Sequence, residues 1–218
     1  MKLSVVIPAY NEEKLITGCL LKVSEAFAAN AAADWTGEII VVDNNSSDRT
    51  AELARAAGGD WLLFVDADSW LSAGTLAEML DCLRRGRHAG GGCLIGLDDA
   101  PRVAKLFIVC WNFISRTVHW AAGSFVFCRS DAFRDTGGFS TDLYATEEIR
   151  FTRDLKRWAE PRGYKFTILQ RHPHVSSGRK FHLYSRGEIV QVCLRSLFRM
   201  HRTLRDPGQL ALFYDGRR

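Results

Sequence analysis

The sequence predicts an α/β fold, with a Rossmann-like first half and a mixed central sheet flanked by helices. In the first 70 residues, strand-like segments alternate with helix-like segments, which is typical of right-handed parallel βαβ units. Residues 62–65 are apolar without alternation, as in a strand that is covered on both faces of a sheet. The 218 residues, 47% of them hydrophobic, are enough for one domain with a full core.

Apolar spacing places the elements of the first half. The first element is a strand, which we expect to end at Pro8. Apolar residues from Leu15 to Phe27 then recur at helical intervals. A β-branched strand follows, and Asp48 opens the next helix. The predicted elements are strands 3–7, 38–42 and 61–65 and helices 12–29 and 51–57.

The second half is mixed rather than repeating. No linker, low-complexity tract or internal duplication interrupts the chain, so we expect a single domain over 1–218. The predicted elements after residue 69 are helices 73–84, 102–118, 146–158 and 188–204 and strands 92–95, 124–128 and 165–169.

Composition excludes several classes of protein. Charged residues make up 25% of the chain and the formal net charge is +4, which excludes a disordered chain and gives no sign of a nucleic-acid partner. No run of about 18 apolar residues occurs, so we expect no transmembrane segment. The six cysteines stand singly in apolar stretches, which predicts reduced core thiols and a cytoplasmic protein.

Two carboxylates, Asp66 and Asp68, directly follow the predicted buried strand. In open α/β sheets, ligands bind outside the carboxyl ends of the strands. Two like charges this close favour a counter-charge, most simply a divalent cation with oxygen ligands. The alternative is a strand-to-helix turn in which Asp68 or Ser69 caps the next helix.

Polar clusters also follow the first two predicted strands. Residues 8–12 place Tyr10 where it can stack on a base, beside a helix N-terminus that offers N–H groups. Residues 43–48 supply polar side chains that can read a base or a ribose, although the same residue types are common in turns. Three polar clusters therefore meet at one edge of the predicted sheet.

The polar clusters belong to longer motifs. The segments 4–13 (SVVIPAYNEE), 41–50 (VVDNNSSDRT) and 64–69 (FVDADS) closely resemble the family 2 glycosyltransferases, inverting enzymes of the GT-A fold. Further along, 137–140 (GGFS) and then 147–148 (EE) resemble the Gly-Gly-Phe and Glu-Asp segment of that family. The resemblance covers most of the chain up to about residue 155, and the order of the motifs makes it specific.

The resemblance implies a site for a nucleotide-diphosphate sugar. Tyr10 and the region of Asn44 would hold the base, and Asp66 would contact the ribose or the metal. Asp68 would bind a Mn²⁺ or Mg²⁺ ion that bridges the donor diphosphate and offsets the charge of the leaving group. The predicted donor-binding residues are Pro8, Tyr10, Asn11, Glu12, Asp43, Asn44, Asp66, Arg179 and Lys180.

The resemblance also implies a general base. In the family, the second residue of the Glu-Asp pair deprotonates the acceptor hydroxyl, and that position is Glu148 here. The change from aspartate leaves open whether Glu147 or Glu148 does this. The alternative is that both are first-turn acids favoured at a helix N-terminus.

The nucleobase of the donor also stays open. Asn44 stands where family members often have an aspartate that binds uracil, and an amide can donate as well as accept a hydrogen bond.

Basic residues late in the chain are candidates for the donor diphosphate. The segment 176–180 is suited to close over an anionic donor through Arg179 and Lys180, with a solvated loop as the alternative. Arg116 is a further candidate. His174 is a candidate third metal ligand beside the two aspartates.

The predicted function is that of a hexosyltransferase-type glycosyltransferase, which moves a sugar from a nucleotide-diphosphate sugar to a hydroxyl acceptor with inversion. The acceptor would lie against Trp120, Gly123 and Ser124, because this turn resembles the one that lines the acceptor site in the family. One alternative is a nucleotide-sugar-binding protein without transferase activity. The other is a sugar-phosphate nucleotidyltransferase, which would need a Gly-rich phosphate loop that 8–12 lacks.

The sequence leaves the acceptor open between a saccharide and a lipid-linked compound. The apolar helix at 106–114 and the basic tail permit a peripheral membrane contact, and a homodimer is also permitted. We divide the chain into a nucleotide-sugar-binding half (1–69), an acceptor and catalytic half (70–187) and a helical tail (188–218).

One junction is unusually short for the family. Only three residues separate the helix that ends near Ala57 from the strand that starts at Trp61, where family members have a longer segment with donor contacts. We therefore expect a missing segment, seen as a physical break in the chain within 57–60.

Overall fold

A computed structural model describes residues 1–9, 12–43, 58–121, 124–139, 147–182 and 187, with the backbone alone at 43, 147 and 180. Within these residues, seven strands form one sheet. The strands are β1 (Lys2–Ala9), β2 (Thr36–Asp43), β3 (Trp61–Val65), β4 (Ser69–Trp70), β5 (His88–Leu97), β6 (Phe125–Arg129) and β7 (Lys165–Ser176). The helices are α1 (Ile16–Ala29), α2 (Ala73–Arg84), α3 (Arg102–Val118), α4 (Ser130–Asp135), α5 (Glu147–Ala159) and α6 (Arg179–His182), with a 3-10 turn at Glu160–Arg162.

The strand order is β2-β1-β3-β6-β5-β7-β4. β1, β2 and β3 are parallel, and β6 runs antiparallel to β3 and β5. β7 is parallel to β5, and the short β4 is antiparallel to the end of β7. Five strands therefore point the same way, and their ends share one side of the sheet. We call this side the carboxyl edge, and it consists of the residues around Ala9, Asp43, Val65, Leu97 and Ser176.

β1 is the central strand of the parallel half, and its residues 3–7 are fully buried. Pro8 was expected to end this strand, but β1 continues to Ala9 and Pro8 pairs with Val42 of β2. The register with β3 ends at Val6, so Pro8 lies where only one neighbour remains. Its missing N–H is tolerated at such a position.

Helices pack on both faces of the sheet. α1 and α2 cover one face, where Val23, Met79 and Phe127 are fully buried. α4 and α5 cover the other, where Phe133 and Phe151 are buried. The mixed α/β architecture predicted from the sequence is confirmed.

The element bounds agree best where the sequence signal is local. α2 and α3 have the predicted bounds, whereas β5 and β7 are longer than predicted, and β4, α4 and α6 were not predicted. The predicted helices at 51–57 and 188–204 lie outside the described residues.

Most of the described cysteines lie in the core, as predicted. Cys19, Cys82, Cys93 and Cys128 are buried and free. Cys110 is exposed on α3, so the prediction of a core thiol is wrong for this residue. Its apolar neighbours in sequence do not report which face of the helix it occupies.

Gly59 and Asp60 lead the chain into β3 and are held by hydrogen bonds. The Asp60 N–H donates to the Lys2 carbonyl at 2.8 Å, and the Asp60 carboxylate accepts from the Lys2 N–H at 2.8 Å. The Ser130 N–H donates to the Asp60 carbonyl at 3.0 Å. The expected chain break stays a prediction for the junction before residue 58, which lies outside the described residues.

β7 changes register halfway along its length. Leu169 pairs with Cys93 and His174 pairs with Ile95, so residues 170–173 bulge out of the ladder. The strand then continues to Ser176, past the end predicted from its apolar residues. The bulge therefore decides where the second half of β7 meets the carboxyl edge.

Glu78 of α2 fills this bulge. Its carboxylate accepts hydrogen bonds of 3.0–3.2 Å from the N–H groups of Gln170, Arg171 and His172. Successive N–H groups around one carboxylate form an anion-binding nest. The Thr75 hydroxyl adds a bond to the His172 carbonyl at 3.1 Å.

We predict that Glu78→Gln destabilises the protein by about 1–3 kcal/mol, because an amide NH₂ group cannot accept the hydrogen bonds that the N–H groups of β7 donate to the carboxylate. Urea unfolding measures the change. Asp81→Asn, on the exposed side of the same helix, is the matched control and should cost less than about 1 kcal/mol. Equal losses of unfolding free energy in the two variants would show that the nest stabilises the protein no more than an exposed carboxylate does.

Candidate functional site

The ends of the parallel strands meet at the carboxyl edge. Ala9 pairs with Asp43, so β1 and β2 end at the same level. Val6 pairs with Phe64, which places the residues after β3 beside them. The polar clusters predicted to follow the three strands therefore begin at one edge of the sheet.

A tight turn after β3 carries Asp66 and Asp68. The Asp66 carbonyl accepts hydrogen bonds from the Ser69 N–H (3.1 Å) and the Ser69 hydroxyl (2.7 Å). Asp68 is 6% exposed and Asp66 is half-buried. The turn holds both acidic residues at the carboxyl edge.

Neither Asp68 nor Ser69 caps the following helix, so the structural alternative for this pair is wrong. Ser72 is the N-cap of α2, because its hydroxyl accepts a hydrogen bond from the Thr75 N–H at 3.0 Å. The acidic residues are therefore not needed to begin the helix.

The end of β7 lies against the same turn. Ser176 pairs with Ser69 through β4, and the Ser177 N–H donates to the Asp68 carbonyl at 2.9 Å. These contacts bring the segment that follows β7 next to Asp68.

Cys19 of α1 lies beneath the acidic turn and donates to the Asp66 carbonyl at 3.6 Å. Burial, and then the charges of Asp66 and Asp68, raise the pKa of the Cys19 thiol to about 11. The thiol therefore stays protonated and serves as a donor rather than as a nucleophile.

Glu12 and Arg179, both predicted to bind the donor, contact each other across the carboxyl edge. The Arg179 Nη2 atom lies 3.1 Å from the Glu12 Oε2 atom. Glu12 is nearly buried and Arg179 is about one-third exposed. The Arg179 Nε atom is buried and has no hydrogen-bond partner among the described residues, so the guanidinium retains a donor for a further group.

The segment 176–180, predicted to close over the donor, is a short connection between a strand and a helix. Ser176 ends β7, and α6 begins at Arg179. The Gly178 N–H donates to the Asp98 carboxylate at 2.7 Å. A Cβ atom on Gly178 would overlap the Asp99 carbonyl, so only glycine fits at this close approach.

His174 is fully buried below the carboxyl edge. Its ring centroid lies 5.1 Å from that of Phe125, and neither ring nitrogen has a hydrogen-bond partner among the described residues. Burial lowers the pKa of His174 to about 3, so the imidazole is neutral, which is the form that binds metals. Within the described residues, however, His174 does not join Asp66 and Asp68 in a three-ligand group.

The two candidate bases lie at the start of α5. Glu148 is half-buried, and Leu155 of the same helix packs where a Cβ atom on Gly90 of β5 would be. α5 ends near the start of β5, because Lys165 pairs with His88. Glu148 therefore lies about 10 Å from Leu155 in the direction of the carboxyl edge.

An aromatic cluster joins the start of α5 to β3. The Phe139 ring lies 4.9 Å from Phe151 and 4.8 Å from Phe64, centroid to centroid. Phe133 contacts all three rings at 5.2–5.8 Å. Phe64 stands two residues before the acidic turn, and Phe151 stands three residues after Glu148. Contacts within the cluster therefore hold the start of α5, which carries Glu148, at a fixed distance from the acidic turn.

The predicted acceptor residues separate in the structure. Ser124 lies at the carboxyl edge, because the next residue begins β6, and Gly123 lies outside the described residues. Trp120 lies lower, since Ala121 packs against Gly92 in the middle of β5. The structure therefore brings Ser124, but not Trp120, to the edge.

Arg116 does not join Arg179. The segment around Gly178 contacts Asp98 and Asp99, just before α3 begins, whereas Arg116 lies in the last turn of that helix. The 14 residues from Arg102 to Arg116 span about 21 Å of helix. The length of α3 therefore separates Arg116 from Arg179, and the role of Arg116 in holding the diphosphate stays a prediction.

Several predicted residues lie outside the described part of the chain. They are Tyr10, Asn11, Asn44 and Gly123, together with the side chains of Asp43, Glu147 and Lys180. Their roles stay predictions.

A shallow depression of about 550 Å³ lies elsewhere, lined among others by His119, Lys156, Tyr164 and Lys165. Lys165 begins β7, so this depression is at the opposite end of the sheet from the acidic turn. It takes no part in the candidate site.

Comparison with known proteins identifies the family. The model of the family "Glycosyl transferase family 2" matches residues 4–57. Protein RfbJ of Shigella flexneri is 33% identical in an alignment of 104 positions, which covers 75% of RfbJ and 37% of this chain. The chain belongs to glycosyl transferase family 2.

Solved structures of low sequence identity show that this glycosyltransferase has the GT-A fold. TarS 1-349 of S. aureus has a TM-score of 0.57 and 16% identity, over 93% of this chain and 73% of that chain. The mannosyltransferase PcManGT of Pyrobaculum calidifontis has a TM-score of 0.62 and 18% identity, over 95% of this chain and 64% of that chain. The latter was solved in complex with GDP-Man and Mn²⁺.

The sequence did not predict the contacts by which some residues shape the glycosyltransferase site. Ser69, Ser177 and Gly178 act through backbone contacts that no local pattern reports. Phe139 stands within the GGFS motif, and its aromatic side chain next to two glycines was the available signal. Gly138 has φ of +74°, a conformation that favours glycine and turns the chain toward Phe139.

We predict that Gly178→Ala destabilises the glycosyltransferase by about 1–3 kcal/mol, because the added methyl group overlaps the Asp99 carbonyl. Gly96→Ala is the control, since a Cβ atom there meets only ordinary contacts. Urea unfolding of both variants measures the difference. If Gly178→Ala is as stable as Gly96→Ala, the connection between β7 and α6 is not as tightly constrained as its contacts indicate.

Proposed function

We propose that this glycosyltransferase is metal-dependent and inverting, and that it moves a sugar from a nucleotide-diphosphate sugar to a hydroxyl acceptor. The observation that carries the proposal is the buried Asp68 at the carboxyl edge, tied to the segment that brings Arg179 and Glu12 together. An acidic turn and a guanidinium at one sheet edge suit a metal-bound diphosphate.

Two structural neighbours support a nucleotide-sugar donor. TarS 1-349 was solved in complex with UDP-GlcNAc, and PcManGT in complex with GDP-Man and Mn²⁺. These donors differ in base and sugar. For this chain we propose the shared feature, a sugar diphosphate linked to a nucleoside, held in part by residues 1–69.

Asp66 and Asp68 would hold a Mn²⁺ or Mg²⁺ ion. Mg²⁺ is commonly bound by one or two carboxylates, with substrate phosphates and water completing the shell, so two aspartates are a sufficient protein contribution. When bound, the ion neutralises charge that develops on the leaving diphosphate.

The proposed chemical step is a single displacement. The acceptor hydroxyl oxygen attacks the anomeric carbon while the bond from that carbon to the diphosphate oxygen breaks. The hydroxyl proton passes to the Glu148 carboxylate, and the nucleoside diphosphate leaves. A single displacement at carbon inverts its configuration.

Arg179 would change partners when the donor binds. In the described structure it is paired with Glu12, and its Nε donor is available. A diphosphate carries more charge than one carboxylate and accepts from a guanidinium in the same fork geometry. The ion pair therefore keeps the guanidinium at the site before the donor arrives.

The test of the function is release of nucleoside diphosphate. The donor base is first chosen by thermal shift with UDP, GDP, CDP and ADP in the presence of Mn²⁺, since binding raises apparent stability. Release that requires both the matching donor and an added hydroxyl acceptor supports a transferase. Binding without acceptor-dependent release would support a nucleotide-sugar-binding protein, and pyrophosphate formation would support a nucleotidyltransferase.

We predict that Asp68→Asn lowers Mn²⁺-dependent affinity for the nucleoside diphosphate by roughly 10–100-fold, because it removes a charged ligand. Calorimetric titration with and without Mn²⁺ measures the effect without relying on turnover. Glu25→Gln removes an exposed carboxylate of α1 and should leave the affinity unchanged. Asp68→Asn with parental Mn²⁺-dependent affinity would remove Asp68 from the metal site.

We predict that Glu148→Gln binds the donor with unchanged affinity and loses about a hundredfold or more in kcat, the usual scale for removal of a general base. Steady-state kinetics and donor titration separate the two quantities. Glu147→Gln is the matched variant one residue away. If Glu147→Gln loses turnover and Glu148→Gln does not, the proton goes to Glu147.

A further inference from the structure

An apolar strip runs along the outer face of α3. Leu106 and Val109 are each 64% exposed and Phe113 is 71% exposed, with the exposed Cys110 among them. Spacings of three and four residues put these side chains on one side of the helix. Large apolar residues are usually exposed singly, so a continuous strip marks an interaction surface. We call these four residues the α3 strip.

The orientation of α3 is fixed by its inner face. The Asn112 side chain accepts from the Ile95 N–H at 3.0 Å and donates to the Ile95 carbonyl at 2.8 Å. Ser115 is buried and donates to the Trp120 carbonyl at 2.7 Å. Rotation that would bury the α3 strip against its own sheet would break these bonds.

Basic residues border the α3 strip. Arg102, Lys105 and Arg116 are exposed on the same helix, and α3 contains neither aspartate nor glutamate. Lys105 and Arg116 are three helical turns apart, so they lie on one flank of the strip. An apolar strip with a cationic border is complementary to an anionic lipid surface.

We propose that the α3 strip binds the surface of an anionic bilayer. The helix would lie in the plane of the interface, with Phe113, Leu106 and Val109 in the boundary between headgroups and acyl chains and with the basic border on lipid phosphates. At 17 residues, α3 is about 25 Å long. No helix among the described residues is long and apolar enough to cross a bilayer.

Charge disfavours two protein occupants of the same surface. In a two-fold pair of α3 helices running antiparallel, Lys105 of one copy would face Arg116 of the other, and such like charges repel. Residues 189–205 of this chain carry four arginines and no acidic residue, so this segment matches the border poorly as well. The same arginines would add to attraction by anionic lipid.

Co-sedimentation of the full chain with lipid vesicles tests the proposal. We expect binding to vesicles of phosphatidylcholine mixed with phosphatidylglycerol, and much weaker binding to vesicles of phosphatidylcholine alone. Phe113→Gln should lower the partition coefficient by about tenfold or more, the scale for losing one buried aromatic side chain. Leu21→Gln on α1, another large exposed apolar residue, is the control and should change nothing.

A second comparison tests the basic border. Lys105→Gln with Arg116→Gln should weaken binding to the anionic vesicles, more so at low salt where charge attraction is least screened. Arg153→Gln with Arg157→Gln removes the same charge from exposed positions of α5 and should have a smaller effect. An environment-sensitive fluorophore attached to Cys110, in a Cys193→Ser background, should shift its emission maximum to shorter wavelength when vesicles bind, because the α3 strip then leaves water.

Three results would overturn the proposal. If Phe113→Gln and Leu21→Gln bind anionic vesicles equally well, the α3 strip is not the contact. If Phe113→Gln instead converts a dimer into a monomer in sedimentation, a second copy occupies the strip. If Phe113→Gln lowers Tm by several degrees, another segment of this chain covers it. None of these readouts uses turnover, so their failure is distinct from failure of the proposed transferase activity.

Discussion

β3 is buried along its whole length, and a buried strand needs hydrogen-bond partners for its backbone where strand pairing stops. Ser69 supplies two donors to the Asp66 carbonyl, and Ser177 supplies one to the Asp68 carbonyl. These bonds hold the acidic turn between the parallel half of the sheet and the end of β7. The Glu12 to Arg179 ion pair crosses the same place, so the two halves of the chain meet at the residues proposed to bind the donor.

The parts of the fold that the sequence predicted are those with local causes. β3 is a continuous apolar run, α2 starts at a serine cap, and α3 has an unbroken helical pattern. Asp66 and Asp68 were predicted to lie at the carboxyl edge because they stand where an apolar run stops. Family motifs extended this to Glu148, whose place near the edge follows from the packing of α5 on β5.

The parts that were not predicted depend on residues far apart in sequence. Residues 170–173 are polar and include a proline, yet they belong to β7, because Glu78 from α2 binds their N–H groups. Packing of Ala121 on β5 sets how far Trp120 lies below the carboxyl edge. The length of α3 separates Arg116 from Arg179. Periodicity identified α3 as apolar but not which of its faces the sheet covers, so Cys110 was assigned to the core.

The three consecutive glycines of β5 allow neighbouring elements to approach this strand closely. A Cβ atom at Gly90 would meet Leu155 of α5, one at Gly91 would meet the Thr167 carbonyl, and one at Gly92 would meet Ala121. A side chain at Gly90 or Gly92 would push α5 or the segment at Ala121 away from the sheet, and one at Gly91 would separate β5 from β7. Because α5 carries Glu148, such a change would alter the distance between Glu148 and the acidic turn without touching either of them. A substitution at these glycines would therefore act on the site through the spacing of α5 and the sheet, and not through any change in the groups that bind or react.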